Sequence, residues 1–153
     1  FDLSVLIETS NPTAAAAAKE SAPYERMERA IRQAATDTFS ITATNPKRMG
    51  PVDHSRNGSF LINYFVAEDT EQMLAVWEYT AGWWAEETGL DNSTVLLPRE
   101  GEPTDYAIIN HCRWDHLRNF MPSILFKRSF KNYVLANFYA NDITPRAVIY
   151  RLA

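Results

Sequence analysis

Apolar and polar positions change their period several times along the chain. Leu3, Val5 and Ile7 alternate through Ser4 and Leu6 and predict a short strand. The run Ala14 to Ala18 is of low complexity, weakly helical or disordered. Ser21 and Pro23 open a helix in which Tyr24, Met27, Ile31 and Ala34 line one face at spacings of three and four. Phe39 and Ile41 suggest another short strand. Residues 45–58 hold two Pro, two Gly and two Asn and read as a loop.

Beyond residue 58 the pattern is stronger. Phe60, Ile62, Tyr64 and Val66 alternate against Leu61, Asn63 and Phe65, which predicts a strand over 59–66. Asp69 with Gln72 resembles a capping box, and Gly89 is a C-terminal stop. Between them Met73, Leu74, Trp77, Ala81 and Trp84 form a helical stripe, with Trp83 off it and expected to edge a pocket or interface. Residues 94–98 and 106–114 predict two further strands around a turn with Gly101 and Pro103. Asp115 then caps a short helix interrupted by Pro122. Phe126, Phe130, Tyr133 and Val134 mark a second helical piece, and residues 143–152 a last strand with Pro145 near its start.

The order strand–helix–strand–strand–helix–strand predicts an α+β fold of ferredoxin-like βαββαβ type for residues 59–153, with residues 1–58 as an N-terminal extension. Such a sheet carries both helices on one face. Its other face would be bare and apolar, which predicts a homodimer closed face to face around a dry chamber.

Composition narrows the function classes. A chain of 153 residues with 46% apolar and 22% charged residues is globular, and its five Gly leave little for a Gly-rich phosphate cradle. Fifteen Lys and Arg against 19 Asp and Glu give a net charge of −4, no footprint for nucleic acid. No apolar run suffices for a membrane span. The single Cys112 excludes an internal disulfide and suits a reducing, cytoplasmic setting, and the three His show no metal-ligand spacing. No metal or cofactor is expected.

Alternation places Ile108, Asn110, Cys112 and Trp114 on one face of the third strand, with Asn110 and Trp114 about 13 Å apart. An amide beside an indole in an apolar chamber suits a phenolic or quinone-like guest. The amide hydrogen-bonds an oxygen where charge develops, and the indole stacks. Tyr64, sharing a face with Phe60 and Ile62, is expected to line the same chamber. As bland alternatives, Trp114 is simply core and Cys112 a small apolar filler.

On these residues, the stretch Gly58 to Leu152 resembles the antibiotic biosynthesis monooxygenase family, whose fold is the dimeric α+β barrel. The element order, Trp114 closing its strand and the broken helix after it carry the likeness. Asn110-His-Cys-Arg-Trp114 resembles the Asn-x-x-x-Trp pattern of cofactor-free anthrone oxygenases, found in polyketide secondary metabolism. The resemblance implies a monooxygenase, an oxidoreductase that oxidises an aromatic small molecule (phenolic, anthrone or quinol) with molecular oxygen. Asn110 would bind the anion, Trp114 hold the ring and His116 handle the proton. Ile62, Tyr64, Ile108, Cys112 and Phe120 would line the substrate. Phe120 stands near the place of the family's helical Tyr and lacks its hydroxyl. Haem-degrading relatives on this fold use a Phe-Lys-x-x-His run, and Phe126-Lys-Arg-Ser-Phe130 puts an apolar residue at the ligand position. The rival readings are a non-catalytic binding or interaction protein, and an isomerase or cyclase on the same fold.

Overall fold

The structure, a computed structural model, describes residues 2–153. It divides into two compact units, Phe1–Thr42 and Ala43–Ala153. Residues 43–50 thus belong with the sheet, so the second unit begins earlier than the 59 expected from periodicity.

The first unit holds two helices. In α1 (Pro12–Lys19) the Asn11 side chain accepts from the Ala14 N–H at 2.9 Å, so the alanine run is a capped helix. In α2 (Ala22–Ala34) Ser21 is the N-cap and Pro23 sits in the first turn. The strands expected at 3–7 and 39–41 do not form. Leu3, Val5, Leu6 and Ile7 are exposed, and alternation alone gives a segment no ladder partner.

The second unit is a six-stranded antiparallel sheet made of β1 (Ala43–Thr44), β2 (Arg48–Gly50), β3 (Ser59–Val66), β4 (Ser93–Pro98), β5 (Tyr106–Trp114) and β6 (Thr144–Tyr150). The strand order is β1-β4-β5-β3-β6, with β2 also paired to β4. Strand β3 lies between β5 and β6 and pairs along its length with both, so its burial is nearly continuous. Strand β6 is an edge, which tolerates Pro145.

Helix α3 (Thr70–Thr88) crosses from β3 to β4 and begins where Asp69 accepts from the Gln72 N–H at 2.9 Å. It ends at Gly89, whose φ of 67° is the left-handed cap that glycine adopts without Cβ strain. Its inward residues Met73, Val76, Trp77 and Trp83 pack with Phe65, Val95, Ile108, Val134, Phe138 and Ile143. Trp83 is therefore core, and its indole N–H donates to Ser129 Oγ at 3.0 Å. After β5 the chain makes a 3-10 turn over residues 117–119, then α4 (Met121–Phe126), a π-helical stretch over 130–135, and α5 (Ala136–Ala140). Pro122 stands in the first turn of α4, so it starts that helix instead of interrupting one. No helix among the described residues is long and apolar enough to cross a membrane.

Candidate functional site

The register of β3 on β5 decides which side chains meet. Asn63 is paired with Asn110, Leu61 with Cys112 and Ser59 with Trp114. Side chains alternate, so Leu61, Asn63 and Phe65 share a face with Ile108, Asn110, Cys112 and Trp114. That face looks at α3. A narrow cleft between sheet and helix is lined by Leu61, Asn63, Ser93, Asn110 and Cys112 from the strands and by Trp77, Thr80 and Trp84 from α3. Its volume is about 30 Å³. That is room for roughly one or two water molecules, so an aromatic guest enters only if the helix layer moves outward.

The polar groups of this cleft are all neutral. Asn110 Oδ1 accepts from Ser93 Oγ at 2.7 Å, which leaves its amide nitrogen as the group to donate. Asn63 Oδ1 is buried without a partner. A buried acceptor left unpaired costs about 1–3 kcal/mol, so Asn63 is costly where it stands. Burial pushes the Cys112 thiol far above its ordinary pKa, so it is neither thiolate nor proton carrier. No lining side chain of the cleft is a general base at neutral pH.

Trp114 reaches the same layer one step along the sheet. Its indole N–H donates to Thr88 Oγ1 at 3.0 Å, and its ring lies 4.3 Å from the Phe120 ring centroid. Leu61, Leu90, Cys112, Trp114 and Phe120 form one buried cluster. Both aromatic rings are packed, with the indole's single donor already used.

Of the expected site residues, Asn110, Cys112, Ile108, Trp114 and Phe120 thus face or pack under one helix layer of the same chain. The chamber between two sheets is not where Asn110 and Trp114 project. Tyr64 and Ile62 pair with Ile109 and His111 and point to the opposite face, away from Asn110. His116 is exposed, just ahead of the 3-10 turn, and lies outside the cleft lining. Asn63 and Ser93 were not anticipated. Asn63 carried a signal, as the polar interruption between Leu61 and Phe65 on the inward period. Ser93 carried none.

The opposite face is not bare. Phe60, Tyr64, Ile109 and His111 are buried within the single chain. His54 from the 51–58 loop sits edge to edge with His111, Nε2 to Nε2 at 2.7 Å, and stacks by Phe60 at 5.6 Å. Burial first, and then His54, lowers the His111 pKa to about 4. His54 thus lies over the Phe60 and His111 end of this face.

A second, polar cleft of about 350 Å³ is lined by residues including Asp53, Arg56, Asp91, Arg113, Asp115 and Asn119. Two of its acids are bonded to its own arginines: Arg56 to Asp53 at 2.7 Å and Arg113 to Asp115 at 2.9 Å. Hydrogen bonds from Ser55 and Arg56 hold the Asp53 carboxyl well below the usual carboxylate range. Among the described residues no group of three or more His, Cys, Asp or Glu is placed to hold a metal ion.

No protein-family model matches the chain, and no curated protein matches it. Among solved structures it is similar to the crystal structure of a protein of Fusobacterium nucleatum subsp. nucleatum named a putative monooxygenase, with a TM-score of 0.59 at 11% identity. The match covers 92% of this chain and 65% of that one, so this chain spans about two thirds of its neighbour's length. At that identity the likeness is one of fold: the chain has an α+β architecture shared with a protein that carries a monooxygenase name.

Proposed function

We propose that the cleft between the sheet and α3 is the active site of a cofactor-independent monooxygenase acting on a phenolic, anthrone or quinol molecule. The strand order β4-β5-β3-β6, with helical crossovers from β3 to β4 and from β5 to β6, supports reading it as a split βαβ sheet. It supports a place beside the antibiotic biosynthesis monooxygenases. The fold shared with a monooxygenase-named protein points the same way.

One observation carries the reading: two neutral amides stand side by side in an apolar layer that holds no acid, base or charge. Such a lining suits chemistry in which the guest supplies its own electrons. An anthrone that gives its proton to solvent outside the cleft and enters as its enolate gives an electron to oxygen and combines with it at the same carbon. Loss of water from the hydroperoxide leaves the ketone, so that a CH2 group and one O2 become C=O and H2O. The chain's tasks are to bind the enolate oxygen through the Asn110 amide N–H, flatten the ring system against Trp84 and exclude water.

The neutral lining also fits a protein that binds an aromatic molecule without changing it. Oxygen consumption with anthrone in metal-free buffer separates the two. Uptake well above the autoxidation rate, lost in Asn110→Ala, is expected; uptake equal to autoxidation would dismiss the oxygenase and leave the binding protein.

A further inference from the structure

Asn63 has no role in the scheme above, and its setting calls for one. It is 9% exposed, lines the cleft and stands directly opposite Asn110. Its Oδ1 accepts no hydrogen bond. Its neighbours on the inward face of β3, Leu61 and Phe65, are apolar, so a leucine at 63 would continue the pattern and leave no acceptor unpaired. Asn110 differs in that its Oδ1 is occupied by Ser93. Among the protein's own groups the cleft therefore presents one unpaired acceptor beside an amide nitrogen left to donate.

We infer that Asn63 is a ligand-binding residue whose Oδ1 accepts from a hydroxyl of the guest, while Asn110 donates to the guest's neighbouring oxygen. Side chains directly opposite on antiparallel strands have Cβ atoms about 4.5–5.5 Å apart. Two such amides address adjacent substituents of one ring system, not its two ends. The ligand class is an aromatic carrying a hydroxyl ortho or peri to a carbonyl or enolate oxygen, in which the hydroxyl proton leaves its internal bond for Asn63 Oδ1 and the Asn110 N–H takes its place on that oxygen. Methylation of that hydroxyl removes the proton Asn63 needs and adds bulk against it. The inference rests on the cleft being the binding site, and not on its oxygen chemistry.

The test uses unreactive probes, 1-hydroxyanthraquinone and 1-methoxyanthraquinone, titrated into the full chain while tryptophan fluorescence is followed. Trp77 and Trp84 line the cleft and report occupancy. The wild type is expected to prefer the hydroxy probe by tenfold or more. Asn63→Leu should lose that preference through weaker binding of the hydroxy probe alone, with an unligated thermal midpoint equal to or above that of the wild type. Asn63→Asp, which keeps an acceptor oxygen, should keep the preference. A wild type that binds neither probe or both equally overturns the inference. So does an Asn63→Leu that retains the preference, or one that is destabilised with its preference intact, which would make Asn63 a structural amide held by water. Should oxygen uptake fail while the preference persists, the oxygenase reading falls and this one stands; uptake without the preference is the reverse.

Discussion

The Nε2 atoms of His54 and His111 lie 2.7 Å apart, so one ring donates and the other accepts, and a second proton has no place between them. This pair ties the 51–58 loop to the sheet. The folded pKa of His111, about 4, lies below the ordinary 6.5. Folding therefore favours the neutral ring, and its contribution is complete above pH 6.5 and lost as pH falls toward 4. The slope is at most about 1.4 kcal/mol per pH unit for one proton. Urea midpoints should decline between pH 6.5 and 5, where most carboxylates are still ionised. His111→Leu should flatten that decline, and an equally steep variant would show that the pair is not its source.

The bond from the Trp114 indole to Thr88 Oγ1 makes a second prediction. Thr88→Val keeps the shape but leaves a buried N–H unpaired, at a cost of roughly 1–3 kcal/mol. Adding Trp114→Phe removes that orphan, so the double variant should lose less than the sum of the two single ones. Additive losses in chemical denaturation would show that the hydrogen bond contributes nothing.

Ser93 and Asn110 should separate in kinetics. Asn110→Ala removes the donor that the proposed reading gives the developing oxyanion and should lower oxygen uptake by about 10²-fold. Ser93→Ala leaves that donor present but frees the amide to rotate, so its loss should be smaller. A Ser93→Ala effect as large as that of Asn110→Ala would mean that the hydroxyl itself touches the guest.

Gly58 is fixed by what surrounds it. A Cβ there would stand 2.6 Å from Arg113 Nε and 2.7 Å from the Trp114 carbonyl oxygen. The guanidinium cannot yield freely, because it donates to Asn57 O at 2.6 Å and pairs with Asp115 at 2.9 Å. Gly58→Ala should destabilise by roughly 1–3 kcal/mol through overpacking. Thermal melts of this variant and Gly82→Ala, where a Cβ meets nothing, should differ accordingly.

Much of the second unit was legible because its periods are long and punctuated. Strands 59–66 and 106–114 form with the bounds that alternation gives, and α3 runs between the Asp69 cap and Gly89. The same alternation correctly put Asn110 and Trp114 on one face. It did not place Tyr64, because register between strands is a tertiary property. With Asn63 opposite Asn110, Tyr64 falls on the other side. The π-helical stretch over 130–135 has no residue signature that separates it from an ordinary helix. Strands β1 and β2 are two and three residues long, too short to show any period, and exist because β4 offers them an edge.

On the proposed oxygenase reading, the uncharged lining of the cleft fixes how turnover responds to acidity. With no titrating side chain at the reacting centre, the midpoint of the rate profile belongs to the guest. Across a series of guests it should shift in step with each molecule's own acidity, while added salt leaves it in place.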